Sequence, residues 1–215
     1  MPDRPRVLCP RVYLPRFEFL ARILRDASID LSQLSVLDLG ARRMEILQRF
    51  APPRYTALDF DPGLPPHPHL RHHDLEQDLP AELAEDVVVA LDVIEHLESM
   101  HRRLEQMRDL AGRHVVVALP NMYHYLPRLR FLLGRSLGAK YALGLARSPD
   151  RHRWIFTLDE AVDLLTATFP AAGWRLALHG HRPPYRRWWV KAADASLPLT
   201  SGAAAFTLFA IASRR

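Results

Sequence analysis

The stretch Val36-Leu37-Asp38-Leu39-Gly40 decides how the rest of the chain is read. A short, mostly apolar run ends on a glycine, as a buried strand does where it enters a tight turn. Nineteen residues past that glycine stands Asp59, closing a second apolar run from Tyr55 to Leu58. In a nucleotide-binding α/β unit the first turn brings backbone amides to the ligand. An acidic residue about 20 positions later accepts from ribose hydroxyls. The plainer alternative makes Gly40 an ordinary turn and Asp59 the start of an Asx-turn into Pro62.

Outward from this pair, apolar runs alternate with helical patterns, the mark of a mostly parallel sheet with helices on both faces. An opening helix is expected from Leu14 to Asp26, with Phe17, Leu20, Ile23 and Leu24 on one face, and another follows through Met44-Glu45-Ile46-Leu47. The prolines of Gly63-Leu64-Pro65-Pro66-His67-Pro68 lack donors and forbid a good crossover helix before a third strand at Leu70 to His73. Asp86 to Leu91 reads as the clearest buried strand. A helix from Val93 to about Leu110 then leads to a fifth strand, His114 to Leu119, stopped at Pro120-Asn121. Thr157-Leu158-Asp159-Glu160 has a capping-box pattern opening a helix to Thr168, and Trp174–His179 and Phe206–Ile211 read as closing strands.

At 215 residues, with 48% hydrophobic and 25% charged content, the chain fits one folded domain, residues 1–215. Residues 1–34 are expected to form an N-terminal helical segment, 35–121 the ligand-binding half and 122–215 the substrate side. A lone cysteine, Cys9, excludes an internal disulfide and suits a reducing cytoplasm. No apolar run precedes Pro10 as a leader would, and none approaches the ~18 residues of a membrane span. The net charge is +5, yet 27 of the 29 basic residues are arginines spread along the chain, so a clustered nucleic-acid footprint is not expected.

The glycines separate two ligand classes. A dinucleotide site wants G-x-G-x-x-G, so that backbone can press against a pyrophosphate. Here the turn reads Gly40-Ala41-Arg42-Arg43-Met44-Glu45, and only the first glycine is present. S-adenosylmethionine has no pyrophosphate and tolerates side chains there better.

Val36-Leu37-Asp38-Leu39-Gly40, Ala57-Leu58-Asp59-Phe60-Asp61-Pro62 and the run from Asp86 through Asp92-Val93-Ile94-Glu95-His96-Leu97 together resemble the class I S-adenosylmethionine-dependent methyltransferases. The likeness is greatest to a small bacterial branch with D-V-x-E-H-L after the fourth strand. It implies an α/β, Rossmann-like fold: a seven-stranded, mostly parallel sheet, its last strand antiparallel, with helices on both faces. It also implies S-adenosyl-L-methionine as cofactor, with Gly40 and Ala41 at its methionine part and Asp38 supporting their turn. Asp59 would hold the ribose hydroxyls, Phe60 would lie against the adenine, Asp74 would meet the adenine edge and Leu91 would line the other side. The departure is the turn, where the family has G-x-G-x-G and this chain has Arg42 and Met44. Either the loop is rebuilt, with Arg42 or Arg43 near the cofactor carboxylate, or the chain is a non-catalytic, methyltransferase-like binding or partner protein.

Asp92-Val93-Ile94-Glu95-His96 reads first as a helix start, Asp92 the N-cap and Glu95 at N3 of a capping box. The functional reading makes His96 a general base, since an imidazole pKa near ~6.5 suits proton removal. Some family members hold a divalent ion with Glu-x-x-Glu-His. The shorter Asp92 argues against that here, so no metal is expected. His124, in Pro120-Asn121-Met122-Tyr123-His124-Tyr125, is the second candidate base, against a structural role in an aromatic turn. Asp150-Arg151-His152-Arg153-Trp154 resembles a loop at the substrate mouth, or is a salt-linked surface loop. Arg182-Pro183-Pro184-Tyr185-Arg186-Arg187-Trp188-Trp189 can cap a substrate, pack an interface or touch lipid headgroups. Leu126 to Ala146, amphipathic and holding Gly134, Gly138 and Gly144, is expected to be a lid or wall over the acceptor site, or a helix packed on the sheet. The favoured acceptor is a small molecule or lipid-linked metabolite; peripheral membrane contact and oligomeric state stay open.

Overall fold

A computed structural model describes residues 5–136, 151–185, 188–197 and 202–215. In chain order the described elements are β1 (Val7–Leu8), α1 (Arg16–Asp26), β2 (Val36–Leu39), α2 (Glu45–Phe50), β3 (Tyr55–Asp59), β4 (Leu70–His72) and β5 (Glu85–Leu91). They continue as α3 (Met100–Leu110), β6 (Ala111–Pro120), α4 (Tyr125–Leu132), α5 (Leu158–Thr168), β7 (Arg175–His181), α6 (Trp188–Ala195) and β8 (Thr207–Ser213). The strands form one sheet in the order β1-β7-β8-β6-β5-β2-β3-β4. Among the described strands only β8, the last, runs antiparallel, to both β6 and β7.

The sheet therefore has eight described strands where seven were expected. The extra one is β1, whose Val7 and Leu8 pair in parallel with Leu178 and His179. Two residues are too few to show the period-2 alternation from which a strand is read.

Both faces of the sheet are covered, which is why its central strands read as continuous apolar runs. Leu37, Leu39, Val88 and Ala90 meet Leu104 and Met107 of α3 and Leu165 and Phe169 on one side. Val36, Val87 and Val89 meet Phe19, Leu20 and Ile23 of α1 and Ile46 of α2 on the other. The link from β3 to β4 holds no helix, as its prolines require. Helix α5 opens on the expected capping box: Thr157 Oγ1 accepts from the Glu160 amide at 3.1 Å and Glu160 Oε2 from the Thr157 amide at 2.6 Å.

The helix expected from Val93 does not form as one piece. Ile94–His96 make a single 3-10 turn, and α3 begins only at Met100. The cause is Glu76, whose carboxylate accepts from the Glu98 amide at 2.8 Å and from Ser99 Oγ at 3.2 Å. The capping box falls with it: Asp92 sits at φ 55, the turn has no side-chain cap, and Glu95 is fully buried.

Of the segment expected to form a lid, residues 137–146 lie outside those described, Gly138 and Gly144 among them. The described part is α4, closed by a Schellman motif: the Gly134 amide, at φ 62, donates to Phe131 O at 2.9 Å and the Arg135 amide to Arg130 O at 2.8 Å. Among the described residues no helix is long and apolar enough to cross a membrane.

Candidate active site

Parallel strands β2, β3 and β5 end together, and ligands of such sheets bind outside those carboxyl ends. A cleft of about 810 Å³ opens there. Asp38, Gly40, Ala41, Asp59, Phe60, Asp74 and Leu91 all line it, as does His96. His124 does not.

The turn after β2 is organised around Asp59. Gly40, Arg42 and Met44 all have positive φ, at 66, 26 and 49. A Cβ on Gly40 would stand 2.5 Å from Val93 Cγ2, so only glycine fits. The amides of Gly40 and Ala41 donate to Leu58 O at 2.8 and 3.4 Å, and the Arg42 amide to Asp59 Oδ2 at 3.1 Å. With three successive amides engaged, the turn is no pyrophosphate cradle. Asp59 Oδ1 accepts from the Asp61 amide at 3.0 Å, so the Asx-turn is present as well.

Asp38 lies behind this turn, 5% exposed, its Oδ2 accepting from Tyr55 Oη at 2.6 Å. Burial pushes its carboxyl up to about 7, against the opposing pull of the Tyr55 bond and of Arg16. Phe60 is 55% exposed at the cleft, while Asp74 folds over its own turn to accept from the Glu76 amide at 3.0 Å. Sequence reasoning missed Arg16 and Phe17, which line the cleft from α1, and Val93. Arg16 Nη1 lies 3.0 Å from Asp92 Oδ2, holding the left-handed residue that follows β5. Seventy-odd residues separate that pair, and no local motif announces it.

At the cleft rim, His96 Nδ1 sits 3.0 Å from Arg151 O. A carbonyl only accepts, so Nδ1 donates to it. Nε2 faces Glu95 Oε1 at 3.8 Å, and His152 Nε2 lies 3.8 Å from the same oxygen. The two imidazoles meet edge to face, 4.6 Å between centroids. Glu95, His96 and His152 offer ligand atoms within 4.8 Å of one another, a donor set that could hold a divalent cation. The sequence expectation of no metal rested on Asp92. It did not foresee His152, which the loop after residue 150 brings back through the Arg153 and Trp154 amides, both donating to Glu95 O at 3.0 and 3.2 Å.

His124, the second candidate base, lies away from the cleft. It is fully buried, and its Nδ1 accepts from the Leu126 amide at 3.3 Å, so Nε2 carries the proton and donates to Tyr185 Oη at 3.0 Å. Tyr185 Oη donates in turn to Asp194 Oδ1 at 3.1 Å, and Arg182 Nη1 to Asp194 Oδ2 at 2.7 Å. Burial lowers the His124 pKa to about 4, partly offset by Asp194. Both ring nitrogens are thus engaged inside a hydrogen-bonded chain. The Arg182 end of the aromatic segment thus belongs to the interior; Arg186 and Arg187 lie outside the described residues.

This strand order, with its cleft and its antiparallel last strand, is that of the class I methyltransferase fold. Residues 13–174 match the family of methyltransferase domains, and the chain belongs to that family. Among solved structures, an S-adenosylmethionine-dependent methyltransferase from Archaeoglobus fulgidus is similar at 14% identity and a TM-score of 0.57, covering 93% of this chain and 95% of that one. One from Mesorhizobium loti aligns at 14% identity and 0.55, covering 90% and 96%. Magnesium protoporphyrin IX methyltransferase from Synechocystis, with bound S-adenosylhomocysteine, aligns at 17% and 0.53, covering 93% and 81%. At these identities the likeness is one of fold. No curated protein matches the chain in sequence.

Proposed function

We propose that the protein transfers a methyl group from S-adenosylmethionine to a small-molecule or lipid-linked acceptor. The observation that carries this is the meeting of Asp38, Gly40, Ala41, Asp59, Phe60, Asp74 and Leu91, drawn from four separate stretches, on one cleft. Each oxygen of Asp59 accepts one amide, and a carboxylate has about four lone-pair sites, which leaves capacity for two ribose hydroxyls. Exposed Phe60 offers a face for the purine. Arg42 and Arg43 line the cleft with the cationic groups a carboxylate calls for.

When bound, S-adenosylmethionine supplies a sulfonium methyl whose carbon takes the acceptor's lone pair while the carbon–sulfur electrons return to sulfur. The protein's part is to hold the acceptor in line and exclude water, a contribution that reaches about 7–11 kcal/mol at best. His96, at the rim of the cleft with Nδ1 held by Arg151 O, takes the proton the nucleophile loses.

A second reading rests on the convergence of Glu95, His96 and His152. In it a divalent cation binds the acceptor oxygen and lowers its pKa, and His96 is a ligand. Turnover unchanged by a chelator supports His96 as base; loss reversed by a divalent cation supports the second reading.

The test of the whole is methyl-labelled S-adenosylmethionine offered with panels of phenols, amines, carboxylates and extracted lipids. Labelled product made by the wild type and not by Asp59→Ala supports methyl transfer. Cofactor binding without product across the panel favours the non-catalytic reading, whose motive is the Arg42–Met44 departure.

A further inference from the structure

Helix α4 stands apart from the other described α-helices. It leaves the carboxyl end of β6, at the same edge of the sheet as the cleft, and none of its residues is buried. Leu129 is 50% exposed, Phe131 72%, Leu132 80% and Leu133 60%. Across from it, Tyr125 Oη donates to Val190 O of α6 at 3.2 Å, and Trp188, at the start of α6, is 80% exposed. This exposure is not that of a frayed end, because the Schellman motif closes the helix and the His124 side chain accepts at its start.

The apolar groups are ordered. Leu129, Leu132 and Leu133 stand at i, i+3 and i+4 and form one stripe, and Arg128 and Arg130 fall on its two flanks. Arg130 Nε is held by Ser136 O at 2.9 Å, and the Arg128 guanidinium lies over the Tyr123 ring at 5.8 Å. Charge selects the occupant. Between Asp109 and Asp150 the sequence has no acidic residue and six basic ones, Arg113, Arg128, Arg130, Arg135, Lys140 and Arg147. An apolar stripe with arginines on both flanks suits a lipid surface, where leucines enter the acyl boundary and guanidinium groups reach back to phosphates.

We propose that α4 and the turn after it dock on a membrane surface rich in anionic phospholipid, placing the cleft at the bilayer face. The proposal deepens the lipid-linked branch of the acceptor reading but does not need turnover. Each arginine near an anionic surface contributes about a five-fold factor in affinity, and the dependence falls as salt rises.

The experiment is co-sedimentation of the full chain with vesicles of phosphatidylcholine alone and of phosphatidylcholine mixed equally with phosphatidylglycerol. The wild type is expected to sediment with the mixed vesicles and far less with the neutral ones. Leu132→Asp, at a site exposed enough to spare folding, should weaken binding by at least about ten-fold, as the removal of one buried leucine from a lipid boundary does. Arg128→Gln with Arg130→Gln should cut binding mainly at low salt. S-adenosylhomocysteine affinity, measured on the same variants, should not move, so loss of docking is separable from failure of the cofactor site. No sedimentation with either vesicle overturns the proposal. So does a salt-sensitive complex with a DNA duplex that Leu132→Asp leaves intact, or a dimer in sedimentation velocity that Leu132→Asp dissociates while vesicles stay unbound.

Discussion

Replacing Gly40 with alanine tests the turn at the centre of the site. Gly40 holds φ 66, and a left-handed backbone costs an L-residue about 1–2 kcal/mol. The new Cβ would also stand 2.5 Å from Val93 Cγ2 and 3.1 Å from Cγ1, and overpacking of this kind costs about 1–3 kcal/mol. The sum is about 2–5 kcal/mol, and for a chain of this size each kcal/mol lowers Tm by roughly 2–4 °C. The two causes separate in a second background. Val93→Ala removes both γ-carbons, so Gly40→Ala should cost only the backbone part there, about 1–2 kcal/mol. Urea unfolding of the four proteins, with S-adenosylhomocysteine affinity alongside, reads the cycle. Equal costs in the two backgrounds would mean Val93 does not stand against Gly40. An unchanged Tm in the single variant would mean the turn is not left-handed, and the reasoning from this residue to the cofactor site would fail.

Asp38 and His124 give pH signatures of opposite sign. Asp38 has a folded pKa of about 7, above its ordinary value of 3.8, so the native state holds more protons across that window and stability falls as pH rises through it. Asp38→Asn should flatten that slope in urea melts at pH 5 and pH 8 and gain on the wild type at the higher pH; an unaltered slope refutes the burial argument. His124 has a folded pKa of about 4, below 6.5, so stability present above pH 6.5 is lost as pH falls toward 4. His124→Gln should lessen that acid loss. If activity is found, its acid limb should persist in His124→Gln and vanish in His96→Gln, and the reverse pattern would return the base role to His124.

What was legible in the sequence were features written locally. The run at Asp86–Leu91 and the turn at Gly40 could be read because a strand buried on both faces must be apolar throughout and a tight turn pressed against Val93 ends on the residue with no Cβ. Thr157 and Glu160 announced α5 because both halves of a capping box lie three residues apart. The prolines after Asp61 announced a crossover without a helix. The rest depended on partners distant in sequence. Glu76 draws away the amides of residues 98 and 99, so the helix expected at Val93 starts late. His96 and His152 meet across a loop, and His124 is claimed by Tyr185 and Asp194, some sixty and seventy positions on. A capping box and a buried glutamate beside a rim histidine share the letters Asp-x-x-Glu-His, and only tertiary contacts choose between them.

The most direct measurement is a calorimetric titration of S-adenosylhomocysteine into the wild type and into Asp59→Ala. One site per chain is expected in the wild type. In the variant, loss of charge-assisted acceptors for two hydroxyls and of the bond that holds the Arg42 amide should cost at least about 1.5–3 kcal/mol, or more than ten-fold in affinity. No heat in the wild type, or equal affinity in the variant, would contradict the assignment of this cleft as the cofactor site.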